Sequence, residues 1–143
     1  MSDFVVLKIP VFSSLCNLGF ALRRAVFVVE QKIPEAEEFD ANDLTAAHWV
    51  AVDAGEVVGT LRVIAAPEHT KIGRIVVHAD WRGRGVARAM ITAALDERRA
   101  AGISRFHLDA QADKIALYEK FGFTAYGEEF LDGGLPHRAM RTY

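Results

Sequence analysis

Trp81-Arg82-Gly83-Arg84-Gly85-Val86-Ala87 combines residue types and spacing that suit the binding of a phosphate group. An apolar β-type run closes just before it at Val76-Val77, and apolar residues at helical spacing begin inside it at Val86. Gly83 and Gly85 let the backbone turn tightly between the two. Free N–H groups at the start of such a helix, with the positive end of its dipole, suit a pyrophosphate, and Arg82 and Arg84 add charge. Two nucleotide motifs are excluded by spacing. A P-loop needs four residues between its glycines and then Gly-Lys-Ser/Thr. A dinucleotide fingerprint needs a third glycine, where Arg88 stands.

A second constellation lies downstream, from Gln111 to Phe123, with Leu117-Tyr118 followed by Gly122-Phe123. Taken alone, Tyr118 is either a core aromatic on a helix facing a sheet or a phenol turned to a cleft. Together the two segments resemble the GNAT superfamily of N-acetyltransferases. Arg82 to Ala87 fits that family's Arg/Gln-x-x-Gly-x-Gly/Ala coenzyme A pyrophosphate motif, which assigns Arg82, Gly83, Arg84, Gly85, Val86 and Ala87 to the donor. Leu117, Tyr118, Gly122 and Phe123 fit its Leu-Tyr-x-x-x-Gly-Phe motif, while Gln111 stands where Asn is usual and Lys114 where Ala is usual. The resemblance implies that Tyr118 protonates the departing thiolate as a general acid. It also implies that the backbone of Ile75, Val76 and Val77 pairs with the pantetheine arm, and that an N–H near Val77 polarises the acetyl carbonyl.

The likeness extends over nearly the whole chain to a bacterial subgroup called ElaA-like or YjcF-like. It is carried by the run from Arg24 to Gln31, by Pro34, Asp40, Asp43 and His48, and by Phe130-Leu131-Asp132-Gly133-Gly134-Leu135-Pro136-His137 with Met140. Acetyl-CoA is the implied co-substrate, with a small-molecule or peptide amine as acceptor. A transferable amine must be neutral to attack, so a base is required. Many family members carry a Glu before the glycine motif, but Lys71, Gly73 and Arg74 occupy that neighbourhood. Glu30 and His107 are the candidates left, set against structural roles as a paired or capping carboxylate and as a hydrogen-bonded strand residue. Glu30, Glu38, His48 and His137 are the candidates for the acceptor side, His137 fitting a cleft contact or a turn-stabilising bond equally. The acidic run Glu35, Glu37, Glu38, Asp40 and Asp43 either draws a cationic amine to the cleft or forms a solvated face.

These residues need a framework to position them. Phe4 to Ile9 reads as a first strand, ended by Pro10, with no basic leader or cleavage site before it. Leu15, Leu18, Leu22, Val26 and Val29 then repeat at helical spacing after a Ser13 or Ser14 cap, giving a helix that covers one sheet face. His48–Val52 and Glu56–Ile64 flank Asp53-Ala54-Gly55 as a hairpin, and Ile72–Val77 forms the next strand. A long helix from Val86 stops at Gly102, and Arg105–Ala110 reads as a buried strand. Asp113 caps a short helix ended by Gly122, and a last hairpin turns at Asp132-Gly133-Gly134. The order β-α-(α)-β-β-β-α-β-α-β-β predicts an α/β (α+β) fold, a GNAT-type mixed central β-sheet with helices on both faces.

At 143 residues the chain suits one domain spanning residues 1–143. A net charge of −2 supplies no long-range field for nucleic acid or an anionic membrane, and no apolar run is long enough to span a bilayer. Cys16, the single cysteine, forms no internal disulfide; it reads as a buried residue and fits a cytoplasmic, reducing setting. His48, His69, His78 and His137 have no ligand spacing with one another or with Cys16, so no metal is expected. Homodimerisation stays open. The reading is an acetyl-CoA-dependent N-acetyltransferase working by direct transfer in a ternary complex. Its alternatives are a coenzyme A-binding regulatory module without transfer and, from the resemblance of Phe27 and Phe39-Asp40 segments, an enzyme like the acyl-homoserine-lactone synthases.

Overall fold

The computed structural model describes residues 4–143; Met1, Ser2 and Asp3, ahead of the expected first strand, lie outside the described residues. Strand β1 (Val5–Ile9) ends at Pro10. Ser13 Oγ then accepts from the Cys16 N–H at 3.3 Å and caps α1 (Ser14–Arg23), which continues as a wider π-helical stretch, Arg24–Glu30. A four-residue helix α2 (Glu35–Glu38) and a 3₁₀ turn (Ala41–Leu44) follow. Asp40 and Asp43 reciprocally cap that turn. Next come β2 (Ala47–Asp53), β3 (Glu56–Ala65), β4 (Thr70–Val77), α3 (Val86–Ala100), β5 (Phe106–Gln111), α4 (Ile115–Glu119), β6 (Thr124–Asp132) and β7 (Leu135–Arg141).

Both hairpins turn where the sequence places them. Ala54 and Gly55 have φ of 48° and 82°, and Gly133 and Gly134 have φ of 58° and 79°. Two successive left-handed residues are what a tight two-residue turn between twisted strands requires. The strands form one sheet in the order β1-β2-β3-β4-β5-β7-β6, mixed as expected. Every neighbouring pair is antiparallel except β4 and β5, which run parallel because α3 crosses between them.

The two faces of the sheet differ in character. On one, α3 and α4 cover an apolar core containing Trp49, Leu61, Ile72, Met90, Ile91, Leu95, Phe106, Leu108, Phe123 and Met140. Gly59 admits this packing, since a Cβ there would lie 2.8 Å from Val86 Cγ1 and Met90 Cε. On the other face, α1 rests on β2, β3 and β4 with a smaller apolar cluster of Leu22, Val26, Phe27 and Val76.

Beside that cluster lies a layer of buried charge. Arg23 donates to Glu38 Oε2 at 2.8 Å, to the Glu38 carbonyl at 2.8 Å and to Asp43 Oδ1 at 2.6 Å. Arg62 donates to Asp43 Oδ1 at 2.9 Å and to Asp40 through two bonds of 2.7 and 3.0 Å. The acidic run is therefore not a uniformly solvated face: Glu38 and Asp43 are buried, while Glu35 and Glu37 stay exposed. This layer also shifts the apolar stripe of the first helix. Cys16, Gly19, Leu22, Arg23, Val26 and Phe27 face inward, whereas Leu18 and Val29, expected inside, are exposed. Beyond Arg23 the π-helical stretch changes the residue period and leaves Val29 outside, while Arg23 is drawn in by its carboxylates. The short helix also departs from expectation: Asp113 lies in a 3₁₀ turn, and α4 starts without a side-chain cap.

Candidate active site

Strand β4 is set apart from β5 along most of its length. The two pair only at Thr70 with Phe106 and at Lys71 with His107, and beyond these residues they diverge. Further along β4, Arg74 and Ile75 together oppose Leu61 of β3, a bulge in which Arg74 takes φ of 50°. A non-glycine residue in that conformation needs support. The Arg74 guanidinium supplies it, donating to the carbonyls of Glu38 and Glu37 at 3.1 and 3.2 Å and lying 3.4 Å from Glu38 Oε2. The bulge and α2 are thus fastened together at the edge of the opening.

Between the diverging strands lies a cleft of about 920 Å³. Its walls include Val26, Phe27 and Ile33 on one side and Val86, Leu117 and Tyr118 on the other. The side chains of Ile75, Val76 and Val77 pack into the two cores, so what this end of β4 offers the cleft is backbone. The His78 N–H donates to the Val58 carbonyl at 2.8 Å. Successive N–H groups point to opposite sides of a strand, so that of Val77 points away from β3 and into the cleft.

At the end of β4 the glycine turn delivers the chain into α3. Gly83 and Gly85 have φ of 78° and 82°, and a Cβ at either would meet nothing within 4 Å. Their requirement is therefore conformational rather than one of space. Gly85 is the N-cap of α3, and the first N–H groups of that helix have no intrahelical acceptor. Gly83, Gly85, Val86, Ala87, Arg82 and Arg88 all line the cleft at this point. Arg84 does not: its guanidinium lies 4.9 Å from the centre of the Trp81 ring, a stacked position outside the lining. Arg88, one helical turn further along, stands in the place the sequence reading gave to Arg84.

Tyr118 sits on α4, buried against the main core and lining the cleft wall opposite the helix that follows β1. Burial, reinforced by the charge of Asp113, pushes its phenol up to about 12. It therefore holds its proton throughout the neutral range.

The family model for the acetyltransferase (GNAT) domain matches residues 19–143. The chain belongs to the GNAT acetyltransferase family. A UPF0039 protein of Mycobacterium tuberculosis is 41% identical over 128 residues, covering 83% of this chain and 78% of its own. The uncharacterized N-acetyltransferase YjcF of Bacillus subtilis is 37% identical over 124 residues, covering 85% of this chain and 88% of its own. Among solved structures, Escherichia coli ElaA superposes with a TM-score of 0.86 at 29% identity, over 100% of both chains.

Within this GNAT domain the remaining candidates divide by position. Glu30 does line the cleft, but both its oxygens are taken by Arg82, at 3.0 and 3.1 Å. The hydrogen bond from Arg82 holds the Glu30 carboxyl below its ordinary range, which makes it a poorer base. Gln111 lines the cleft and donates to Gln31 Oε1 at 3.1 Å, bridging from β5 to the end of the π-helical stretch. His137 satisfies both of its readings, since it lines the cleft while its Nδ1 meets the Leu135 carbonyl at 2.8 Å.

Two expected residues fall outside the opening. His107 belongs to the part of β5 still paired to β4; its Nε2 is 2.9 Å from Tyr126 Oη, and its ring stacks on His69 at 4.5 Å. Burial lowers its basicity further. His48 lies beneath α1, with Nε2 2.8 Å from the Asp43 carbonyl and its ring edge-on to Phe20. Period-two alternation along β2 turns it to the face covered by α1, and it is outside the cleft lining. Glu37, from the acidic run, and Asp132, from the last turn, also line the cleft, as does Asp109, which the sequence had not singled out. Asp109 takes Lys71 at 3.0 Å, a pairing across two strands that no local pattern announces. Among the described residues there is no grouping of three His, Cys, Asp or Glu able to hold a metal, and no helix long and apolar enough to cross a membrane.

Proposed function

We propose that this GNAT domain is an acetyl-CoA-dependent N-acetyltransferase that moves an acetyl group directly to a primary amine in a ternary complex. The observation that carries this reading is the edge of β4 that no strand pairs, which runs from the Arg74 bulge to the glycine turn, its Val77 carbonyl taken only by Arg82 at 3.2 Å, with Tyr118 on the facing wall. An extended thioester lying along that edge as an added strand has its pyrophosphate at the start of α3, held by helix N–H groups with Arg82 and Arg88. Its reacting carbonyl faces the Val77 N–H.

The neutral amine attacks that carbonyl and forms the C–N bond, while the Val77 N–H stabilises the oxyanion. Collapse breaks the C–S bond. Tyr118 gives its proton to the thiolate and recovers one from the amide nitrogen, so the phenolate disfavoured by burial and Asp113 is short-lived. Cys16 is buried, its thiol pushed up by burial, and it lies outside the cleft lining. Transfer proceeds without a covalent enzyme intermediate.

Tyr118→Phe tests the assignment. Amine-dependent release of free thiol is expected to fall about 10²- to 10⁴-fold, with acetyl-CoA affinity unchanged. A full rate in that variant removes the acid role. If the wild type binds acetyl-CoA tightly yet releases no thiol with any amine of a broad panel, the domain is a coenzyme A-binding module instead.

A further inference from the structure

Glu38 is a buried side chain of the cleft whose bonding is incomplete. It comes from α2, its side chain is 3% exposed, and it lines the cleft beside the β4 bulge. Its carbonyl is occupied by Arg23 and Arg74, and its Oε2 by Arg23 at 2.8 Å with Arg74 at 3.4 Å. Among the described residues no protein donor reaches Oε1. Among the described residues, the buried side-chain atoms left without a partner are Arg62 Nε and His107 Nδ1 alone, so Oε1 is not sealed in protein. The space that Glu38 lines is the cleft.

From this arrangement we propose that Glu38 receives the acceptor: its Oε1 anchors a cationic primary amine at the bulge end of the cleft and takes up the proton that the ammonium must lose. This rests on the acetyl-transfer reading above and supplies the base that reading requires. The proton balance closes. The alkylammonium gives one proton to the Glu38 carboxylate and becomes the attacking amine; the second nitrogen proton returns to Tyr118, and Glu38 releases its own to solvent after the amide leaves.

The surroundings suit both halves of the task. Arg23 and Arg74 fix the carboxylate from one side, so the group cannot swing away from an incoming cation. Burial raises its carboxyl above the ordinary range, against lowering by the Arg23 hydrogen bond and by the charges of Arg74, Arg23 and Arg62; Asp43 and Asp40 share those arginines, and Glu37 flanks it. Across the cleft, Lys71 is already neutralised by Asp109, while Glu37 and Asp132 line the same space without an ion-pair partner among the described residues. The field at this end therefore favours a cation. Arg82 and Arg88 line the cleft where α3 begins, Arg82 paired there with Glu30.

Glu38→Gln keeps the shape and can still accept from Arg23. With acetyl-CoA as donor, kcat/KM for propylamine is expected to fall about 10²- to 10⁴-fold, and the acid limb of its pH profile due to Glu38 to disappear. Methoxyamine, which is neutral at neutral pH, should lose far less. An equal loss for both amines, or no loss for either, overturns the proposal, because a purely structural carboxylate would not discriminate between them. If the variant fails to fold, the wild type decides: the Glu38 carboxyl carbon, followed by NMR in the coenzyme A complex, should shift on adding propylammonium, and a signal blind to it overturns the proposal. Calorimetry with acetyl-CoA separates the two levels. A wild type that does not bind it sinks the donor reading, whereas normal binding with an unresponsive Glu38 sinks only this assignment.

Discussion

Tyr118 and Glu30 illustrate how the same cleft perturbs two acids in opposite directions. Burial keeps the phenol protonated, while Arg82 keeps the carboxylate ionised. The loss expected in Tyr118→Phe thus reflects a missing proton donor and should persist from neutral to mildly alkaline pH, because the native phenol ionises only near 12. Glu30 has a different consequence. Its bridge to Arg82 places a carboxylate where a pyrophosphate would bind, so the two anions compete for one guanidinium. Glu30→Gln is expected to tighten acetyl-CoA binding a few-fold in a calorimetric titration and to leave kcat within about twofold; a collapse of kcat would instead mark Glu30 as the base. Tyr118 could be singled out from sequence because Leu-Tyr and Gly-Phe sit at fixed local spacing. The orientation of Glu38 could not, because it is set by Arg23 and Arg74 from two different elements. His107 misled for the converse reason: its strand was recognised, but where β5 leaves β4 is decided by pairing, not by local composition.

At the scale of elements, strands, hairpins and α3 were legible because each carries its own signal in period, turn residues or stop. The π-helical stretch was not: one run of apolar residues serves a continuous helix and a widened one equally well, and what selects the latter is packing of Val26 and Phe27 on Val76. The bulge at Arg74 was equally silent, since an arginine holds φ of 50° there only with α2 carbonyls to bond. The glycine turn is the opposite case. Gly85→Ala meets no neighbour, so its cost is that of a left-handed alanine, about 1–2 kcal/mol. A denaturant titration should show that loss, and acetyl-CoA should bind more weakly with kcat preserved; unchanged affinity would detach the turn from donor binding.

For the whole molecule, the buried charge layer links folding to pH. Burial would raise Asp43, but hydrogen bonds from Arg23 and Arg62 outweigh it and hold the carboxyl below its ordinary value; the Arg62 bond does the same for Asp40. A depressed folded pKa contributes stability that is present above the unfolded value, about 4, and is lost as pH falls through the folded one. Glu38, raised, acts in the reverse sense: its contribution is present below its unfolded value and fades as pH rises through the folded one. Acidification from neutral should therefore cost stability only at the low end, with Glu38 offsetting part of it. Asp43→Asn leaves two buried guanidinium groups short of a partner and should lower stability at neutral pH by about 3–5 kcal/mol, read from urea midpoints, while flattening the acid loss. A variant as stable as the wild type would show the layer to be energetically idle. The parallel seam has a mechanical meaning as well. Four strands on one side and three on the other are stitched by two residue pairs at one end, so the sheet behaves as a pair of stiff leaves on a short spine. A molecule lying between the leaves completes the binding, and an occupied cleft turns two plates into one.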